Sequence, residues 1–238
     1  EALPVAPSPS LGGDVAGIFD SISHRGFTGE LKLVVQDLQN GKRRQAKLRL
    51  GRYLAFNKDD PQALNLAGLI LLEEHKYADA EESFRRLLKQ GVKTDQTFAL
   101  SGVSAYMQGK RADAERQLNK ALVVNPEHVL ALRYLALIEV ERNNTAGAIR
   151  YYQKILATPA YKNQTLTNVH LNLADALASK GDIDKAIDML TVKNIPVTLQ
   201  KTHAFALASV YARTGQVDKS LAVLDNAKVD KDQQLSIE

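Results

Sequence analysis

The sequence predicts an all-α protein built as a solenoid of about six antiparallel helix pairs. Small residues recur along the 238-residue chain at a nearly fixed interval, namely Ala46, Ala80, Ala114, Ala148, Ala186 and Ser220. The successive intervals are 34, 34, 34, 38 and 34 residues. A period of this length is typical of stacked supersecondary units, which place function on an extended surface rather than in one catalytic pocket.

A second series of small residues lies twelve positions before the first and marks the other helix of each pair. Its members are Gly68, Gly102, Ala136, Ala174 and Ala208, while the first pair has Val34 at this position. Small residues on two facing helices allow the backbones to approach closely. We therefore expect tight packing within each pair, with the first pair the most divergent.

Each pair also carries a residue suited to the turn between its helices. These residues are Gly41, His75, Gly109, Asn143, Gly181 and Gly215. Gly and Asn tolerate the left-handed backbone conformation that ends a helix, so His75 is the exception. A large apolar residue follows the small residue of each second helix by four positions, and we expect it to point into the next repeat. These residues are Leu50, Phe84, Leu118, Tyr152, Leu190 and Leu224.

The pattern divides the chain into a leader, a repeat array and a tail. Residues 1–26 form a Pro-, Gly- and Ser-rich leader with a short amphipathic helix predicted over 14–22, which either caps the array or tethers it to an upstream domain or lipid anchor. The units lie near residues 27–60, 61–94, 95–128, 129–166, 167–200 and 201–228, and residues 229–238 form a polar tail. The extra residues of the 38-residue interval fall around 158–167, where Pro159 favours a longer connection.

The unit from Pro61 to Thr94 carries the pattern most completely, because Gly68, Tyr77, Ala80 and Phe84 occur together in it. This arrangement resembles the tetratricopeptide repeat family, whose unit is a 34-residue helix–turn–helix. The resemblance covers about residues 27–228, although the first helices contain no Trp and the first unit lacks its small residue. It implies a right-handed superhelix whose first helices line a concave groove.

The resemblance also implies which side chains face the groove. They are Asn65, Leu69, Val103, Tyr106, Met107, Arg133, Tyr134, Leu137, Asn172 and Asp175, with Phe205, Ser209 and Arg213 in the last unit. Such a largely apolar strip suits an extended or helical apolar peptide oriented by Arg133 and Asp175. Packing between helices is the alternative for Leu69 and Leu137, whereas the aromatic rings of Tyr106 and Tyr134 favour an interface. Chaperone-binding members hold a carboxylate with polar groups where this chain has Leu69 and Val103, so that clamp is not expected.

Composition argues against several classes of function. The chain has no Cys and its five His residues show no metal-ligand spacing, so we expect no disulfide, metal or other cofactor. The net charge of +4 is modest and the basic run from Lys42 to Arg52 is interpreted as a solvated helix face, so no nucleic-acid partner is expected. The apolar stretches are too short to span a membrane. No phosphate-binding or nucleophile motif is present, and we expect no enzyme activity.

These observations predict a protein–protein interaction scaffold that binds a peptide segment in its groove as part of a bacterial envelope assembly or secretion system. The absence of Cys and the Pro-rich leader favour a periplasmic or envelope-associated location, with the cytoplasm as the alternative. Two other functions stay open. In one, the array is a self-assembling homo-oligomeric scaffold; in the other, it is a regulatory fragment of a larger protein with a catalytic domain elsewhere.

Overall fold

The computed structural model describes residues 27, 29–161, 167–192 and 195–234, with side chains as far as residue 227. Within these ranges it contains twelve α-helices, one short 3-10 helix and no strand. The helices are α1 Gly29–Gln39, α2 Arg43–Phe56, α3 Pro61–Glu73, α4 Tyr77–Lys89, α5 Asp95–Met107, α6 Arg111–Val124, α7 Val129–Glu141, α8 Thr145–Ala157, α9 Asn168–Lys180, α10 Ile183–Leu190, α11 Gln200–Arg213 and α12 Val217–Gln234, with the 3-10 helix at Val197–Leu199. The predicted all-α fold is confirmed.

The chain divides into two compact units, Glu1–Tyr134 and Leu135–Glu238, and the division falls within α7. In the first unit α1 packs on α2, α3 on α4 and α5 on α6, and α4 also packs on α5. In the second unit α9 packs on both α8 and α10, α11 packs on α12, and α11 also contacts α9 and α10. Successive helices therefore pack as pairs in each unit, as the repeat pattern predicts.

The two series of small residues lie in the core of the helix pairs. Ala80 and Ala114 are fully buried, and a Cβ built on Gly68 would lie 2.6 Å from Cζ of Phe84. In the next pair a Cβ on Gly102 would lie 2.7 Å from Cγ of Leu118. The large residue of the second helix thus occupies the space that glycine leaves on the first helix of its own pair. The expectation that these side chains point into the next repeat is wrong for Phe84 and Leu118, because glycine opens a nearer space.

All six turn residues adopt the left-handed conformation. Their φ angles are 70° at Gly41, 60° at His75, 79° at Gly109, 58° at Asn143, 96° at Gly181 and 72° at Gly215. His75 and Asn143 are the two residues other than glycine with positive φ in the described part of the chain. Because the same backbone conformation recurs at position 75, His75 departs from the pattern in residue type alone and carries steric strain that glycine avoids.

Several helix boundaries follow from local capping. The Asp60 carboxylate accepts a hydrogen bond from the Ala63 backbone N–H at 2.9 Å, and Pro61 occupies the first turn of α3. These are standard signals for a helix start, since they satisfy an otherwise unpaired N–H and preset φ. Thr94 caps α5 in the same way, with its hydroxyl oxygen 3.1 Å from the Thr97 nitrogen.

Two helices differ in length, one from its counterparts in the other pairs and one from the predicted end of its unit. Helix α10 has 8 residues, whereas the other second helices have at least 13. Helix α12 extends to Gln234, beyond residue 228 where the pattern placed the end of the last unit, because no Pro or Gly interrupts the segment.

The long interval of the repeat pattern lies between α8 and α9, and residues 162–166 of this interval fall outside the described residues. The predicted leader helix and residues 235–238 also lie outside the described residues.

None of the described helices combines the length and the apolar character that a membrane-spanning segment requires.

Candidate functional site

The first helices of the pairs carry the predicted groove residues, and burial divides these residues into two groups. Leu69 on α3 is 0% exposed and Val103 on α5 is 1% exposed, so both side chains pack in the first unit. Asn65, which precedes Leu69 by one helical turn, is half-buried. The Asn65 side chain is therefore partly accessible to solvent, whereas Leu69 and Val103 lie in the core.

The Tyr106 side chain on α5 is held by contacts with two neighbouring side chains. Its ring lies 5.1 Å from the Tyr134 ring in an edge-to-face arrangement, with 77° between the two planes. The Arg111 guanidinium lies over the Tyr106 ring at 3.9 Å, and the same group donates to the Tyr106 backbone carbonyl. Tyr106 is half-buried and Tyr134 is fully buried, so Tyr134 and Arg111 hold the Tyr106 ring in place.

Met107 and Arg133 complete the predicted set in the first unit. Both side chains are half-buried. The first unit thus has one aromatic ring, one flexible apolar side chain and one cation among the half-buried residues of this set.

The second unit presents a more open polar face. Asp175 on α9 is exposed, and one of its oxygens lies 3.2 Å from an Nη of Arg213 on α11. The other Nη of Arg213 donates to the Ser179 hydroxyl at 3.0 Å. Asn172, one turn before Asp175, is half-buried, while Leu137 on α7 is buried and packs in the core. The structure thus joins two residues that the sequence placed in different repeats.

Phe205 lies on the same face of α11 as Arg213. The two residues are eight positions apart with Ser209 between them, which places all three along one side of the helix. The Phe205 side chain is 66% exposed, an unusual position for a large aromatic ring on a helix that is otherwise buried through His203, Ala204 and Leu207. Phe205 thus presents an exposed aromatic ring along the side of α11 that carries Arg213 and its ion pair with Asp175.

Two histidines act as helix-start acceptors rather than as ligands. The Nδ1 atom of His128 accepts from the Ala131 backbone N–H at 3.3 Å, and Nδ1 of His170 accepts from the Thr167 N–H at 3.1 Å. Burial lowers the pKa of both histidines and so favours the neutral ring, in which Nδ1 can accept a hydrogen bond. No group of three or more His, Asp or Glu side chains in the described residues is arranged to hold a metal ion.

Comparison with sequence families gives a match over much of the array. The profile described as tetratricopeptide repeat matches residues 31–92 and 100–163. No curated protein matches the chain in sequence.

Solved structures of low sequence identity share the fold. Pseudomonas aeruginosa pilF is 19% identical, with a TM-score of 0.64 over 88% of this chain and 90% of its own. YrrB, described as a tetratricopeptide repeat protein with an unusual peptide-binding site, is 17% identical, with a TM-score of 0.60 over 79% of this chain and 95% of its own. MamA is 14% identical, with a TM-score of 0.58 over 82% of this chain and 99% of its own.

Proposed function

The chain belongs to the tetratricopeptide repeat family. We propose that it is a non-catalytic scaffold. In this proposal, it binds an extended or helical peptide segment of a partner protein on the exposed faces of its first helices. The family's fold supports protein–protein interaction as the general role. The finer proposal concerns which side chains make the contact.

The observation that carries the proposal is the exposed face of α9 and α11. Phe205 offers apolar area to a ligand, and the Asp175–Arg213 pair offers a carboxylate and a guanidinium to the peptide backbone or to charged side chains. Interfaces of this kind place an aromatic anchor beside polar groups that set orientation. In the first unit the supported Tyr106 ring and Arg133 supply the same combination.

One further fact supports the proposal. YrrB, which shares the fold, is described as having a peptide-binding site. We also propose an assembly or secretion role in a bacterial envelope, in line with the Pro-rich segment over residues 4–9.

The test compares two exposed phenylalanines. Peptides of about 12 residues, long enough to cover several turns of helix surface, are selected from a random displayed library against the whole chain. The affinity of a selected peptide is then measured by fluorescence anisotropy with Phe205→Ala and with Phe56→Ala. We expect F205A to weaken binding about tenfold, because it removes an aromatic anchor.

Phe56→Ala is the matched control, because Phe56 is 90% exposed but lies at the end of a second helix and not on a first helix. It should bind the peptide as the wild type does. Equal affinities of the two variants for every selected peptide would rule out the α9–α11 face as the binding surface.

A second candidate function is self-assembly through the last helix. Val217 and Leu221 lie one turn apart on α12 and are 57% and 54% exposed. Apolar area that a helix of a repeat array leaves exposed can be covered by a second copy of the chain. Light scattering of the wild type and of Leu221→Lys tests it, since a concentration-dependent oligomer should dissociate in L221K, while a monomer at all concentrations would exclude this function.

A further inference from the structure

The excess positive charge of the chain lies in the first helix pair. Helix α2 carries five cations and no acidic residue, whereas α4 carries three cations and three acidic residues. Residues 29–58, which include α1 and α2, contain eight cations and two acidic residues. Their net charge of +6 exceeds the +4 of the whole chain, so all other residues together carry −2. Such an asymmetry points to an anionic partner for this part of the chain.

Ion pairs within the protein account for only half of the cations between positions 42 and 52. Three of them pair with acidic side chains of α1 or of the C-terminal end of α3, namely Arg43, Lys47 and Arg49. The other three are exposed and form no ion pair with another described residue, namely Lys42, Arg44 and Arg52. These three charges remain available to an external anion.

The available cations of α2 alternate with exposed apolar side chains. Arg44, Leu48 and Arg52 follow one another at four-residue spacing, on the side of α2 opposite its buried residues. Leu48 is 56% exposed, and Phe56, one turn beyond Arg52, is 90% exposed. We call these four residues the α2 row. It offers a partner two guanidinium groups and two apolar side chains along one exposed side of a helix.

The repeat does not require the α2 row. The equivalent residues of α4 are Ala78, Glu82, Arg86 and Gln90. In that helix Glu82 pairs with Arg85, and Arg86 pairs with Asp59. The position of Leu48 holds a charged residue in α4, α6, α8 and α10. The combination of available cations with an exposed leucine and phenylalanine is therefore a feature of α2 itself.

The surface at the α2 row suits a broad partner rather than a small enclosed ligand. A depression of about 390 Å³ lies at the N-terminal end of the row, and its lining residues all belong to the turn after α1 and the first turns of α2. Sites for small molecules enclose most of the ligand, which requires walls on several sides. A partner that covers the whole row therefore fits this surface better.

The partner must present negative charge to the cations and an apolar phase to the other two side chains of the row. The phosphate backbone of a nucleic acid meets the first condition, but it offers nothing apolar to Leu48 and Phe56. The surface of a bilayer that contains anionic phospholipids meets both conditions. Its headgroup phosphates attract Lys and Arg, while the boundary of its acyl chains accepts Leu and Phe.

We propose that the α2 row, together with Lys42, is a docking surface for a membrane that contains anionic phospholipids. Lys42, Arg44 and Arg52 pair with headgroup phosphates. Leu48 and Phe56 enter the boundary between the headgroups and the acyl chains. None of these residues belongs to the proposed α9–α11 face, so this proposal does not depend on the proposed function.

The first test measures co-sedimentation of the whole chain with phosphatidylcholine vesicles that contain about 30% phosphatidylglycerol, an anionic lipid. The wild type should bind these vesicles but not vesicles of phosphatidylcholine alone. A variant with both Arg44→Glu and Arg52→Glu should bind at least about 25-fold more weakly, since each cation near an anionic surface contributes about fivefold. Absence of wild-type binding to the anionic vesicles would overturn the proposal.

The matched control carries Arg150→Glu and Lys154→Glu in α8. These two cations are exposed, form no ion pair with another described residue and occupy the positions equivalent to Leu48 and Arg52. The control has the same net charge as the α2 double variant, yet it should bind the anionic vesicles as the wild type does. Equal weakening by the two double variants would show that net charge causes the attraction, which would overturn the proposal.

The second test places a fluorophore in the α2 row, since the chain contains no Trp. The emission of Phe56→Trp should shift to shorter wavelength on the anionic vesicles, and lipids brominated in the acyl chains should quench it. Phe205→Trp, on another exposed phenylalanine, should show neither change. This measurement decides the proposal even if the α2 double variant fails to fold. Binding to soluble polyglutamate without lipid quenching of F56W would identify an acidic protein segment as the partner and overturn the proposal.

Discussion

The junction between the second and third helix pairs and the junction between the fourth and fifth use the same repeat position in opposite ways. In the first unit Glu81 bridges to Gln108 and Lys110. In the second unit Ile149 stands at this position and an apolar cleft of about 890 Å³ lies beside it. The repeat specifies the helix pair, whereas the residue that follows the small residue of the second helix differs between junctions: it is a bridging carboxylate at one junction and an isoleucine beside an open cavity at the other.

The two units also differ inside their pairs. The first unit has glycine at the small position of α3 and α5, with Phe84 and Leu118 filling the space above it. The second unit has alanine at the equivalent positions, Ala174 and Ala208. The glycine pairs therefore allow a closer contact between a large side chain and the facing backbone, and they tolerate added volume least.

The largest expected effect comes from filling the glycine position. Gly68→Ala places a Cβ 2.6 Å from the Phe84 ring, and overpacking of this kind should lower the free energy of unfolding by about 2 kcal/mol. Urea denaturation followed by circular dichroism measures the change. If G68A proved as stable as the wild type, the close approach in the second pair would be refuted.

Gly51→Ala is the matched control for this substitution. Gly51 lies inside α2 and a Cβ there meets no atom within 4 Å. The same chemical change should raise the free energy of unfolding by about 0.5–1 kcal/mol, because alanine favours the helix. Opposite signs for the two variants would show that contact with Phe84, rather than helix propensity, controls the result.

The hydrogen-bonded bridge from Glu81 is tested by replacing Glu81 with isoleucine, the residue at the equivalent position in α8. Glu81→Ile removes the carboxylate that binds Gln108 and Lys110, and we expect a loss of about 1 kcal/mol, since both partners are part-exposed. Urea denaturation is again the measurement. A variant with unchanged stability would mean that the bridge closes the junction without stabilising it.

The histidines predict a pH dependence in both units. His128 and His170 have lowered pKa values because of burial, so the unfolded chain binds more protons than the folded chain as the pH falls. Their stabilising contribution is complete above pH 6.5, the ordinary value, and is lost as the pH falls through the lower folded values. The Asp95 carboxylate, 4.0 Å from His128, opposes this shift, whereas burial alone lowers the pKa of His170.

Thermal denaturation of the wild type and of His170→Asn between about pH 7.5 and pH 5, the range in which histidine titrates, measures this effect. Asparagine keeps an acceptor at the helix start but does not titrate. The variant should lose less stability than the wild type on acidification. Identical slopes for the two proteins would show that His170 does not contribute.

The smallest effect is expected at the turns. Replacing His75 with Gly removes a side chain from a residue at φ 60°, and replacing Asn143 does the same at φ 58°. We expect H75G to gain about 0.5 kcal/mol and N143G less, because Asn tolerates the left-handed region better than His. The His75 ring also contacts the Tyr77 hydroxyl at 2.7 Å, and a net loss of stability in H75G would show that this contact outweighs the strain.

Much of the fold could be predicted from the sequence, because its signals are local. A left-handed turn selects Gly or Asn, and a close helix contact selects Gly or Ala, so both recur at the repeat period wherever the geometry recurs. Even His75, which breaks the residue pattern, adopts the conformation that its position requires.

Less of the candidate site could be predicted from the sequence. The sequence grouped Leu69, Val103 and Asp175 at one repeat position of the first helices, yet Leu69 and Val103 are buried while Asp175 is exposed and paired with Arg213. The cavity lined by α8, α9 and α10 was also missed; Ile149 in its wall occupies a position that holds Lys47, Glu81 and Glu115 in the preceding pairs but Ile187 and Leu221 in the following ones.

The all-α fold, the pairing of successive helices and the left-handed turns at Gly and Asn could be inferred from the sequence, since each depends on residues close together in the chain. Which side chains remain available to a partner depends on tertiary packing. The exposure of Phe205 and the Asp175–Arg213 pair both depend on side chains from neighbouring helices. Burial is a property of such neighbours, and a repeat period does not specify them.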